Sequence, residues 1–130
     1  NICDEPRLLA CAHALEHANI LLCDFEHAVK DASEGDLVYF DPPYAPLSKS
    51  AMFTAYTAGG FSETDQTRLR DCALRLAGRG VHVLVSNSSA PLIKQLYADG
   101  FRIIELPARR NINSRGSGRG AVTELLMVSK

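Results

Sequence analysis

Short runs rich in β-branched and aromatic residues alternate along this chain with stretches of helical periodicity, and that alternation confines it to a layered α/β sheet. The clearest run is Val81–Val85 (VHVLV), which follows a helical stretch ended by Gly78 and Gly80. Leu37–Phe40 is a second buried strand, entered from a turn at Ser33, Glu34 and Gly35. Ile20–Cys23, Phe101–Leu106 and Val122–Val128 complete the expected strands. The periodicity predicts helices over 5–18, with Asp4 as N-cap and Pro6 in the first turn, and from Phe25 to Ala32. It predicts two more from Glu63 to Leu76 and from Pro91 to Ala98. Ser62 and Asp65 come close to a capping box at the start of the third. Residues 45–61 and 107–120 read as long loops. In a sheet of this kind ligands bind beyond the carboxyl ends of the strands.

The sequence has 130 residues, 46% of them apolar and 22% charged, which suits one globular unit or a piece of one. No apolar run reaches the roughly 18 to 20 residues that cross a bilayer, so a cytoplasmic location is expected. Cys3, Cys11, Cys23 and Cys72 form no CxxC pair, and His13 and His17 share a helix face without a third ligand. Neither a disulfide framework nor a metal site is expected. The charge is uneven: residues 1–41 hold nine of the fifteen acids and only Arg7 and Lys30, leaving six acids against twelve bases in the remainder. The later part is therefore the side suited to a polyanion.

At the end of the second strand stands DLVYFDPPYAPLS, residues 36–48. Two prolines fix backbone dihedrals and remove two amide donors, so the carbonyls of Asp41 and Pro42 are held as acceptors in set directions. The Asp41 carboxylate beside such a carbonyl can grip both hydrogens of an amino group, and Tyr44 offers a flat face for an aromatic ring. The set fits an amine on a planar heterocycle. The competing reading is a proline-stiffened turn in which Asp41 caps the next segment and Tyr44 packs on the core.

Several segments in order carry a resemblance. They are Asp24-Phe25 in CDFEHAV, the DPPY segment, FTAYTAGGFSETDQTRL from Phe53 to Leu69, VLVSNS from Val83 to Ser88, and RRNINSRGSGRGAVTELL from Arg109 to Leu126. The chain resembles the carboxyl-terminal half of the Dam-type DNA adenine N6-methyltransferases. The resemblance implies an α/β fold, a partial Rossmann-like S-adenosylmethionine-dependent methyltransferase sheet with helices on both faces. It implies transfer of a methyl group from S-adenosyl-L-methionine to the exocyclic nitrogen of an adenine flipped out of double-stranded DNA. By carry-over, Asp41, Pro42, Pro43 and Tyr44 are the catalytic segment: the Asp41 carboxylate and Pro42 carbonyl accept from the amine, and Tyr44 stacks on the base. Asp24 and Phe25 hold the cofactor's adenine, with Asp41 beside its methionine portion.

Arg109, Arg110, Arg115 and Arg119 occur with no acid between Glu105 and Glu124, among Asn, Ser and Gly, a composition suited to phosphates. The plainer reading is a solvated loop joining two antiparallel strands. Phe53, Tyr56 and Phe61 either line a base pocket or fasten their loop to the sheet, and Ser86 and Asn87 either support the pocket or form turn chemistry. The family's glycine-containing cofactor loop and its target-recognition region have no counterpart in these residues, so an upstream half of the same enzyme is an expected partner. A half-sheet of this kind exposes the edge of the strand that carries DPPY. The chain alone is expected to bind S-adenosylmethionine weakly or not at all. Two other functions fit part of the pattern: an N-methyltransferase acting on RNA or protein, and a non-catalytic nucleic-acid-binding remnant.

Overall fold

The computed structural model describes residues 3–47, 60–109 and 121–130. Its elements run α1 (Glu5–Ala14), α2 (Phe25–Ala28), β1 (Leu37–Phe40), α3 (Glu63–Ala77), β2 (His82–Ser88), α4 (Pro91–Leu96), β3 (Phe101–Arg109) and β4 (Ala121–Ser129). Four strands form one mixed sheet in the order β1-β2-β4-β3. β1 and β2 are parallel, joined through α3, while β2 pairs antiparallel with β4 and β4 antiparallel with β3. β1 therefore lies at one end of the sheet, and its outer edge has no strand partner among the described residues.

The register separates the two faces. Val38 and Phe40 on β1, Val83 and Val85 on β2, Leu125 and Met127 on β4, and Phe101 and Ile103 on β3 share one face. They pack against Leu69, Cys72, Ala73 and Leu76 of α3 and against Ile93 of α4 and Tyr97 just after it, forming the core. The opposite face carries Leu37 and Tyr39, 65% and 55% exposed, with Leu84, Ile104, Leu126 and Val128 half-buried. Among the described residues α3 and α4 cover the core face of the sheet. α1 buries none of its side chains: Leu8, Leu9 and Leu15 are exposed.

Local sequence accounts for most of the boundaries. Asp4 caps α1, accepting from the Arg7 amide, and Pro6 sits where no intrahelical donor is needed. The capping box at α3 closes fully: Ser62 Oγ accepts from the Asp65 amide at 3.2 Å, and Asp65 Oδ2 accepts from the Ser62 amide at 2.9 Å. Accepting from the Ser62 hydroxyl and amide holds the Asp65 carboxyl below its ordinary value. Pro107 lies inside β3, paired opposite Thr123, and this is tolerated because β3 is an edge strand that can spare the donor.

Five expectations need correction. Ile20–Cys23 is not a strand: Ile20, Leu21 and Leu22 are exposed and have no strand partner among the described residues. α1 stops at Ala14 and α2 at Ala28, each four residues short, because tertiary cover is missing for the first and a turn intervenes in the second. β2 continues past Val85 to Ser88, since its last three polar residues are buried and bonded to the β1 loop. β3 extends to Arg109, into the stretch expected to be loop.

Candidate functional site

β1 delivers Asp41 to the edge of the sheet, and the prolines then turn the chain away from strand geometry. A cavity of about 250 Å³ opens there, lined by Phe25, Tyr39, Phe40, Asp41, Pro42, Pro43, Phe61 and Leu69. Its lining combines the end of β1 and the prolines after it with Phe25, Phe61 and Leu69, which pack in or against the core. Phe25 stands edge-on to Phe40 and to Phe61, with ring centroids 6.3 and 6.2 Å apart. These three rings form an apolar wall facing a carboxylate and a proline-stiffened backbone.

Asp41 is tethered rather than free. Ser86 Oγ, at the end of β2, donates to Asp41 Oδ1 at 2.6 Å, a short charge-assisted bond. Burial pushes the Tyr44 phenol above its ordinary value, and the adjacent Ser86 hydroxyl offsets part of that rise. Ser88 Oγ donates to the Ala45 carbonyl at 2.6 Å. Gln66 Nε2 donates to the Pro43 carbonyl at 2.9 Å, and Asn87 Oδ1 accepts from the Ala45 amide at 2.9 Å. Asp41, Pro43 and Ala45 of the DPPY loop are thus bonded to β2 or α3.

Asp24 sits differently from Phe25. Its carboxylate caps α2 through the Glu26 amide at 3.0 Å and pairs with Arg68 of α3, so it lies outside the cavity lining. Arg68 also reaches Glu26 at 3.5 Å and Asp65 at 3.8 Å, and its guanidinium lies 4.4 Å from the Phe25 ring centre. Arg75 pairs with Glu26 as well. α3 therefore holds α2, and with it the Phe25 ring, against the cavity.

The structure brings Phe25, Asp41, Pro42 and Pro43 into one cavity, with Tyr44 next in sequence and Asp24 beside it. Arg109 ends β3. Arg110, Arg115 and Arg119, with Phe53 and Tyr56, lie outside the described residues. Phe61 belongs to the cavity wall through its contact with Phe25. Gln66 escaped the sequence reading although it shares the stripe of Leu69, Ala73 and Leu76 at helical spacing, and that position was the available signal. Among the described residues no group of three or more His, Cys, Asp and Glu is arranged to hold a metal. No helix there is long and apolar enough to cross a membrane.

The aromatic wall and adjacent acceptors fit part of an adenosyl cofactor: rings for a purine, and a carboxylate for a cationic group. A family model described as D12 class N6 adenine-specific DNA methyltransferase matches residues 1–112. A Type II methyltransferase of Lactococcus lactis subsp. cremoris is 51% identical over 110 residues, covering 85% of this chain and 38% of its own length. A Type II methyltransferase of Methanocaldococcus jannaschii is 38% identical over 130 residues, 98% of this chain and 45% of its own. A DNA adenine methylase of Vibrio cholerae is 37% identical over 123 residues, 94% of this chain and 44% of its own. The chain spans less than half the length of each of these relatives. With its DPPY loop pinned at the end of β1 beside an aromatic cavity, this chain belongs to the D12 class of N6 adenine-specific DNA methyltransferases.

Proposed function

We propose that this chain carries the methyl-transfer half of a site-specific DNA adenine N6-methyltransferase that uses S-adenosyl-L-methionine. The single observation that carries the reading is the pinned carboxylate: Asp41, held by Ser86 at 2.6 Å, beside the Pro42 backbone at the mouth of an aromatic cavity. The sheet is read as part of a Rossmann-like methyltransferase sheet, with an upstream half of the same enzyme pairing along the outer edge of β1.

In this reading the Asp41 carboxylate and the Pro42 carbonyl accept the two hydrogens of the adenine amine. That draws the nitrogen toward tetrahedral geometry and exposes its lone pair. The lone pair would take the methyl group as the methyl–sulfur bond breaks, its electron pair staying on sulfur as a thioether, and the nitrogen would lose one proton to solvent. Tyr44, 37% exposed, presents its ring to the flipped base. When bound, S-adenosylmethionine supplies an already activated methyl, so the residues contribute placement and electrostatics rather than a covalent intermediate. Phe25 and Phe61 flank the cofactor's purine, Asp24 stands beside them, and Asp41 neighbours the methionine portion. Arg109, Arg110, Arg115 and Arg119 engage DNA phosphates, and the setting is the cytoplasm.

The test is methylation by a chimera joining this chain to the upstream part of the Lactococcus relative. Digestion of the methylated duplex to nucleosides should yield N6-methyladenosine derivatives from DNA. Labelling of RNA or protein in preference to duplex DNA would overturn the substrate assignment.

A further inference from the structure

Gln66 and Asn87 are 2% and 0% exposed, polar residues set into the α3–β2 contact where apolar side chains otherwise fill the core. The network fixes which way each amide faces. Asn87 accepts from two backbone donors, Ala45 at 2.9 Å and Ser88 at 2.8 Å, so its oxygen must point to them. Its nitrogen then faces Gln66 and donates to Oε1 at 3.0 Å. That leaves Gln66 Nε2 to donate to the Pro43 carbonyl at 2.9 Å. One continuous chain of hydrogen bonds runs from the peptide before Tyr44 to the peptide after it.

The prolines do not supply this constraint themselves. A proline ring fixes φ but leaves ψ soft, so the peptides on either side of Tyr44 can still rotate. Gln66 and Asn87 stop that rotation from inside the core. They also select between two neighbouring acceptors: the Pro43 carbonyl is occupied by Gln66, while among the described residues no donor reaches the Pro42 carbonyl. Neither amide lines the cavity.

We propose that Gln66 and Asn87 are positioning residues of the methyl-transfer site, a buried amide clamp that locks the backbone around Tyr44 and leaves Pro42 as the acceptor for the substrate amine. The assignment of a substrate amine rests on the function proposed above; the clamp itself does not.

Gln66→Met keeps the side chain's length and removes both of its hydrogen bonds, without touching Ala45. Hydrogen exchange at the Ala45 amide, followed on this chain and on the chimera, should rise at least tenfold in Gln66→Met while Val83 and Val85 in β2 keep their protection. In the chimera the single-turnover methyl-transfer rate should fall at least tenfold with the affinity for S-adenosylmethionine unchanged. Gln66→Glu should recover rate as pH falls, because its protonated carboxyl again donates to Pro43 and accepts from Asn87, a signature that lost packing does not produce. Unchanged Ala45 exchange in Gln66→Met, or a rise shared equally by Val83 and Val85, would overturn the clamp. A wild-type chimera inactive on DNA would instead refute the function, and the exchange data would still decide the clamp.

Discussion

Gly80→Ala should destabilise the protein far more than Gly35→Ala, although both glycines have positive φ, +80° and +87°. They lie in two separate turns that lead into the parallel strands β1 and β2, where the Gly35 amide donates to the Gly80 carbonyl at 3.0 Å. Placing an alanine in this backbone region costs about 1–2 kcal/mol at either position. At Gly35 that is the whole effect, since an added Cβ meets nothing within 4 Å. At Gly80 the Cβ would lie 2.9 Å from Glu34 Cγ and 3.2 Å from Glu34 Cβ. The Cγ can swing aside, but the Cβ is fixed to the turn, so backbone must shift, adding about 1–3 kcal/mol. Urea unfolding followed by circular dichroism should give losses of about 1–2 kcal/mol for Gly35→Ala and about 2–5 kcal/mol for Gly80→Ala, with the same denaturant slope. Glu34→Ala in the Gly80→Ala background should recover only part, because it removes Cγ and keeps Cβ. Equal losses at the two glycines would refute the contact and the packing of the two turns that it depends on.

Three further outcomes follow. Ser62→Ala should cost about 1 kcal/mol of stability at neutral pH. The sign of its pH dependence follows from the lowered Asp65 carboxyl: the difference is fully present above the ordinary value of 3.8 and shrinks as pH falls through the lower folded-state value, in paired urea titrations. Met127→Ala, at a fully buried position in the middle of the sheet, should cost about 2–5 kcal/mol by the same unfolding assay, and a loss below ~1 kcal/mol would contradict the core described. Arg68→Ala should release α2 with little effect on global stability, because its ion pairs are partly exposed; amide exchange should rise at Ala28 but not in α3.

Much of this arrangement is legible in the residues, and the failures have physical causes. The DPPY loop announces itself because prolines after an apolar strand leave few backbone choices, and the Ser62–Asp65 box because both partners are local. Ile20–Cys23 misleads because a short apolar run carries no information about whether a partner strand lies beside it. Ser86 and Asn87 leave two readings open on composition, pocket support or turn chemistry, and with Ser88 they extend β2. They are strand residues because their polar atoms satisfy a loop forty-odd positions away, a pairing that sequence separation hides. Gln66 is concealed in the same way: on a helix its polarity suggests solvent, and only its place on the Leu69–Ala73–Leu76 stripe says otherwise.

The most direct test of the central claim, that Asp41 at the end of β1 is where the methyl group is transferred, is a single-turnover assay of labelled methyl passing from S-adenosylmethionine to unmethylated duplex DNA. It compares the chimera with its Asp41→Ala and Ser86→Ala variants, with DNA binding measured alongside. The account requires transfer by the wild type, abolition in Asp41→Ala with DNA binding nearly intact, and a roughly tenfold slowing in Ser86→Ala, the loss of about one hydrogen bond to a charged group. Undiminished transfer by Asp41→Ala would contradict it.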